Sequence, residues 1–230
     1  MTWEEITRIC EKHVHLGVEG VPSCSTLDRI IHCPEAWFWM QRLPSGPSSV
    51  AAFNGTRQHY TMELGIREQP EGMPDDMWEM CEEAWRRLQP YLDLGYTPYS
   101  QEQYVALDFL TGSMDLLLVK NNSCDDFIIL DYKFGRGFVP PTTLQGCGYG
   151  ILLRHDMPHV KRLRFGIIQP QCGETDLVEL DFNELDALEG KIKEVMANPE
   201  GRKITSKGCH YCPANGVCGS TKNLLDGLAA

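Results

Sequence analysis

The sequence predicts an α/β domain with one mixed sheet, and three observations predict it. Between about residues 26 and 92, apolar positions recur at helical spacing. Between 102 and 134 the period changes to short apolar or alternating runs separated by turn residues. Beyond that the pattern returns to helix, then a hairpin, then helix.

Each element follows from local pattern. SCSTLDRIIHCPEAWFWMQRL opens with Ser25 and Asp28, a capping-box spacing before an apolar run, so a helix is expected over about 26–41, interrupted or kinked near Pro34. PSGPSSV at 44–50 reads as a loop, AAFNGTRQHYTMELGI as a second helix and MWEMCEEAWRRLQPYL as a third, amphipathic one. EQYVALDFL, GSMDLLLVK and DFIILDYKF read as a three-stranded meander, with NNSCDD at 121–126 as a turn. A helix restarts near Thr142 or Thr143. VKRLRFGIIQP and TDLVELDF read as a hairpin, and FNELDALEGKIKEVMAN as a last amphipathic helix.

The 230 residues suffice for one large domain, or one with a small satellite. No apolar run is long enough to span a bilayer, and MTWEEITRICEKHVH is too charged for a signal peptide, so a cytoplasmic setting without a membrane partner is expected. Ten cysteines in a reducing compartment point to metal ligands and packed thiols, not disulfides. A net charge of −11 argues against a generally basic nucleic-acid-coating surface, though not against one local groove. Basic residues do gather at Arg86 and Arg87, and at Arg154, Lys161, Arg162 and Arg164. They read either as solvated faces or as phosphate contacts.

The chemistry concentrates in the meander. Asp115 and Asp131 interrupt apolar strands, and a charge there is costly unless paired or bound to metal. Lys133 follows Asp131 by two, so both leave one strand face. Two carboxylates and an ammonium suit a hard divalent ion and metal-assisted phosphodiester hydrolysis. Gly55, His59 and Glu63 share one helix face, and Gln145 and Tyr149 share another.

In this order the motifs resemble the PD-(D/E)XK nuclease superfamily, in its RecB-like exonuclease branch. They are G-x-x-x-H-x-x-x-E at 55–63, G-x-x-D at 112–115, D-x-K at 131–133 and Q-x-x-x-Y at 145–149. Ser113 and Met114 stand where the name motif has proline. The resemblance implies a restriction-endonuclease-like core with its central mixed sheet flanked by helices. It implies that His59, Asp115, Asp131 and the Tyr132 backbone carbonyl bind two divalent ions, Mg²⁺ or Mn²⁺. Lys133 would be the catalytic lysine, Gln145 and Tyr149 would handle substrate, and Glu63 and Glu102 would be accessory acids.

Three more cysteines, Cys209, Cys212 and Cys218, crowd near the chain end, and Cys33 lies in S-x-L-x(5)-C-P-x-x-W. One cysteine before the core and three after it resembles the iron–sulfur members of the branch, AddB-type nuclease domains and CRISPR-associated RecB-like exonucleases. That implies a [4Fe–4S] cluster clasping the two chain ends across a loop whose closure in a free chain costs roughly 4–5 kcal/mol. A four-cysteine zinc site is the rival, with His210 a further candidate ligand. Cys10, Cys24, Cys81, Cys124, Cys147 and Cys172 read as ordinary thiols.

The expected organisation is an N-terminal helical segment over 1–49 supplying one cluster cysteine, a nuclease core over 50–200 and a cysteine-rich region over 201–230. The expected activity is exonucleolytic hydrolysis of single-stranded DNA or DNA ends, in repair or recombination, phage DNA metabolism or CRISPR-type processing. Two other readings stand beside it: a non-catalytic DNA-binding subunit with a metal clasp, and an endonuclease of the same superfamily. A homo-oligomer and a recombination or CRISPR-type partner protein both stay open.

Overall fold

The central strand of the sheet explains the rest of the architecture. In the computed structural model, which describes residues 1–12, 18–43, 49–173, 177–199, 209, 212–215 and 218, that strand is β3, Asp126–Tyr132. It joins β2 (Thr111–Lys120), and β2 joins β1 (Tyr96–Ala106), in the expected antiparallel meander. After β3 the chain crosses over through α6 (Leu144–Asp156) to β4 (Arg162–Ile168), which pairs with β3 in parallel. A short β5 (Val178–Glu179) closes the hairpin with β4, giving a mixed five-stranded sheet in order β1-β2-β3-β4-β5. His210 lies outside the described residues.

β3 is apolar nearly throughout because both its faces are covered. Phe127 and Ile129 pack with residues of α6, while Ile128, Leu130 and Tyr132 pack on the opposite side. Full burial of each such side chain contributes roughly 1.5–3 kcal/mol. The first layer holds α2 (Leu27–His32), α6 and α7 (Phe182–Ala197). The second holds α1 (Trp3–Lys12), α4 (Val50–Glu63) and α5 (Asp75–Asp93). Helix α7 starts where Asp181 accepts the N–H groups of Asn183 and Glu184 at 2.8 and 3.1 Å.

The helix over 26–41 is interrupted at Pro34, as expected: a 3-10 turn at Cys24–Thr26 leads into α2, and α3 (Pro34–Met40) begins afresh with Pro34 in its first turn. The Ser25–Asp28 capping box does not form, because Thr26 is the N-cap of α2 and Ser25 Oγ instead lies 3.0 Å from Ser23 Oγ. Helix α1 forms within a stretch whose mixed charge concealed its buried stripe of Trp3, Ile6 and Cys10.

The basic residues that read as possible phosphate contacts are engaged within the chain. Arg86 and Arg87 bind Glu83, Arg154 binds Asp186, Lys161 binds Asp125, Arg162 binds Glu179 and Arg164 binds Asp126.

Gly112 permits the approach of α6 to β2. A Cβ there would come within 2.8 Å of Cys24 Sγ and 3.1 Å of the Tyr149 ring. The glycine of G-x-x-D thus lets the Tyr149 ring pack against the start of β2, three residues before Asp115.

Candidate active site

The antiparallel ladder between β2 and β3 ends at the pair Leu116–Leu130. One step further stand Asp115 and Asp131. Asp115 Oδ2 accepts the backbone N–H of Tyr132 at 2.7 Å, so its side chain replaces the next rung of the ladder. The same oxygen lies 3.2 Å from His59 Nδ1 on α4. The His59 ring is held edge-on against Tyr132 and Phe134, at centroid distances of 6.1 and 5.4 Å.

Glu102 completes this corner from β1. Its neighbours Gln101 and Gln103 pair with Leu116 and Met114, which sets Glu102 across from Asp115. Its φ of 46° lies in the left-handed region, which costs a non-glycine residue on the order of 1 kcal/mol or more. His59, Glu102 and Asp115 each offer a ligand atom, and these atoms lie within 4.8 Å of one another. Among the described residues, no other three His, Cys, Asp or Glu side chains come that close.

Asp131 and Lys133 form the second half of the site. The two-residue spacing holds as expected: Lys133 Nζ lies 2.6 Å from Asp131 Oδ2. Asp131 is 1% exposed, and its Oδ2 has the ammonium beside it but no hydrogen-bond donor in good geometry. Its other oxygen, Oδ1, accepts from Gln145 Nε2 at 3.0 Å, and the same amide donates to Tyr149 Oη at 2.8 Å. Both amide hydrogens of Gln145 are therefore engaged, and Tyr149 is buried. This pair sits behind Asp131 and braces it.

The electrostatics follow from burial and crowding. Burial, then the Asp115 charge, pushes Glu102 up to about 7. Burial also pushes Asp131 up to about 6, although Lys133 opposes it. Burial would raise Asp115 too, but His59, Lys133 and the Tyr132 N–H together hold it below the usual carboxylate range. Burial would lower His59 and Lys133; the carboxylates around them outweigh it and raise both. Three acids with only one ammonium and one imidazole is the charge pattern of a site that accepts a cation.

The donor set fits a hard divalent ion. It offers carboxylate oxygens and an imidazole within the span of one coordination sphere, and the buried Asp131 Oδ2 stands beside it with the Lys133 ammonium as its neighbour. Glu63, at the end of α4, is close enough for its charge to raise Glu102. The Tyr132 backbone meets Asp115 through its N–H.

The cysteines form a separate feature. Cys33 precedes α3, and Cys209, Cys212 and Cys218 follow α7. Cys212 donates its backbone N–H to the Cys209 carbonyl at 3.1 Å, and Cys218 donates to Ala214 at 2.9 Å. Burial raises the Cys212 thiol, and the nearby Cys33 and Cys209 raise it further, so Cys33, distant in sequence, lies near Cys212 in space.

Comparison with known proteins supplies the deciding observation. A family model described as the PD-(D/E)XK nuclease superfamily matches residues 89–219, more than half of the chain. The chain belongs to the PD-(D/E)XK nuclease superfamily. Its mixed sheet flanked by helices is the restriction-endonuclease-like fold of that superfamily. No curated protein matches the sequence. Among solved structures it is similar to SSO0001, at 10% identity and a TM-score of 0.47, over 95% of this chain and 94% of that one. It is similar to a candidate exonuclease from Eubacterium rectale, at 10% identity and a TM-score of 0.46, over 89% and 88%. It is also similar to the alkaline exonuclease LHK-Exo of Laribacter hongkongensis, at 11% identity and a TM-score of 0.34, over 98% of both chains. In this PD-(D/E)XK nuclease, no helix among the described residues is long and apolar enough to cross a membrane.

Glu102 is the residue whose part in the site sequence reasoning weighed least. Its signal was an acid one strand before Asp115, and only the β1–β2 register shows that the two face each other.

Proposed function

We propose that this chain is a divalent-metal-dependent deoxyribonuclease, an exonuclease that hydrolyses phosphodiester bonds at single-stranded DNA or DNA ends. The observation that carries the reading is the Lys133 ammonium, 2.6 Å from buried Asp131 at the end of β3, next to the corner of His59, Glu102 and Asp115. Mg²⁺ or Mn²⁺ would be held by His59, Glu102, Asp115 and Asp131, and when bound would polarise the phosphate and acidify an attacking water. Lys133 neutralises charge that builds on the phosphate oxygens as the bond breaks. Asp131 fixes the lysine, while Gln145 and Tyr149, given to substrate handling by resemblance, hold Asp131. His59, wedged against Tyr132 and Phe134, keeps Asp115 oriented.

The test is a cleavage assay on end-labelled linear single strands, linear duplexes and circular single strands, with Mn²⁺ or with a chelator. Stepwise shortening of linear DNA in Mn²⁺ only, with circles intact, is the expected result. Cutting of circles would overturn the exonuclease reading. Absence of cleavage with Mn²⁺ bound would favour a DNA-binding subunit.

We also propose that Cys33, Cys209, Cys212 and Cys218 hold a [4Fe–4S] cluster. The nearness of Cys33 and Cys209 to Cys212 supports it, and soft thiolates suit such a group.

A further inference from the structure

The loop between β3 and α6 leaves the sheet directly after Lys133 and returns at Gln145, so residues of the candidate site stand at both of its ends. It begins Phe134-Gly135-Arg136-Gly137-Phe138-Val139. Phe138 is 62% exposed, and among the described residues it is the one phenylalanine of the exposed large hydrophobic side chains. Arg136 is also exposed, and among the described residues no acid pairs with it. The six clustered basic residues elsewhere are all paired, so Arg136 differs from them.

The loop is braced from behind. Gln169, fully buried after β4, accepts the Val139 N–H at 2.7 Å and donates to the Val139 carbonyl at 2.6 Å, as a neighbouring strand would. Gln171 donates to the Phe134 carbonyl at 2.8 Å, and the Lys133 N–H donates to the Ile168 carbonyl at 2.9 Å. The bracing segment is itself held by Arg87, whose guanidinium donates to the carbonyls of Gln169, Pro170, Cys172 and Gly173. Hydrogen bonds from buried Gln169 and from Gln171 thus fix the loop, while its aromatic ring and its cation are exposed.

We propose that Phe138 and Arg136 form a contact for single-stranded DNA beside the scissile position: the Phe138 ring stacks on a nucleobase and Arg136 pairs with a backbone phosphate. This deepens the nuclease reading and rests on it. Stacking on an exposed aromatic is indifferent to base identity, because every base has a π-face, and a neighbouring cation tracks the backbone. Phe138 is five residues from Lys133, at most about 17 Å of extended chain, within the reach of a few nucleotides from the cleaved bond. A duplex keeps its bases stacked on each other, so the contact favours an unpaired strand.

The experiment uses the full chain carrying Lys133→Ala, with Mn²⁺ and a single-stranded oligonucleotide carrying 2-aminopurine at successive positions from one end. Fluorescence is expected to be quenched at one or two adjacent positions. Phe138→Ala abolishes the quench and Phe138→Tyr restores it, with both variants melting like the parent. In the cleaving protein, Phe138→Ala is expected to raise KM for single strands about tenfold at unchanged kcat, the size of one stacking contact. Arg136→Gln lowers the salt dependence of binding by about one ion.

An unchanged quench and KM in Phe138→Ala would overturn the proposal, as would rescue by Phe138→Leu as complete as by Phe138→Tyr. Quenching by a protein whose Lys133 form cleaves nothing would leave the stacking contact standing and remove the nuclease reading. Cleavage that ignores Phe138 would do the reverse.

Discussion

Asp115 Oδ2 is shared: it lies 3.2 Å from His59 Nδ1 and accepts the Tyr132 N–H at 2.7 Å. The carboxylate therefore ties α4 to the end of β3, and its charge opposes the lowering that burial imposes on His59. Asp115→Asn keeps the shape and removes the charge. The His59 pKa, followed by NMR titration of its ring, is expected to fall in this variant. An unchanged value would mean that the pair is not coupled.

Acidity and stability are linked through the same corner. Glu102 at about 7 and Asp131 at about 6 sit above their ordinary carboxylate values, so between about pH 4 and 7 the folded chain holds protons that the unfolded chain has released. The metal-free protein must then lose stability as pH rises through 6 and 7. Raised His59 acts in the same direction, while depressed Asp115 contributes a constant amount in this window. In chelator, the melting temperature at pH 8 should lie below that at pH 6 by roughly 2–4 °C for each 1 kcal/mol lost. Glu102→Gln should flatten the curve, and Mg²⁺ should restore the loss at pH 8. A melting temperature that climbs from pH 6 to 8 in chelator would contradict the proposed protonation.

Two glycines separate packing from function. A Cβ on Gly146 would overlap the Phe165 ring, so Gly146→Ala should destabilise by about 1–3 kcal/mol. Gly55, the motif glycine of α4, meets nothing within 4 Å, so Gly55→Ala should stabilise by about 0.5–1 kcal/mol. Chemical denaturation measures both. If Gly55→Ala gains stability but loses cleavage, the glycine leaves room for substrate and not for the fold.

The meander was legible because short apolar runs such as DFIILDYKF are bounded by turn residues, and the spacing of Asp131 and Lys133 fixed their common face. Other features depend on tertiary pairing. That Glu102 faces Asp115 follows from the β1–β2 register, in a segment bent by a left-handed residue that no propensity scale marks. That Gln145 and Tyr149 brace Asp131 follows from the approach of α6, which Gly112 permits. Ser25 and Asp28 had capping spacing, but the chain spends Ser23 to Thr26 on a 3-10 turn, so the helix begins one residue later than the box requires. Arg87 looked like a surface cation until its carbonyl partners around Gln169 came together.

The cysteine clasp makes a compositional prediction. Protein purified without oxygen should carry iron and acid-labile sulfide in equal amounts, and Cys33→Ser should lose both and melt lower. Stoichiometric zinc in their place would select the zinc reading, and an unchanged melting temperature on removal of the metal would remove the clasp.

The central claim is that phosphodiester hydrolysis depends on Lys133 held by Asp131 beside the metal-binding corner. Single-turnover cleavage of single-stranded DNA, with Mn²⁺ binding measured in parallel, tests it most directly on wild type, Lys133→Ala and Asp115→Asn. Lys133→Ala should bind Mn²⁺ and lose cleavage by about a hundredfold or more, the scale of one preorganised charge at a reacting centre. Asp115→Asn should lose both. Cleavage at the wild-type rate by Lys133→Ala would place the chemistry elsewhere in the molecule.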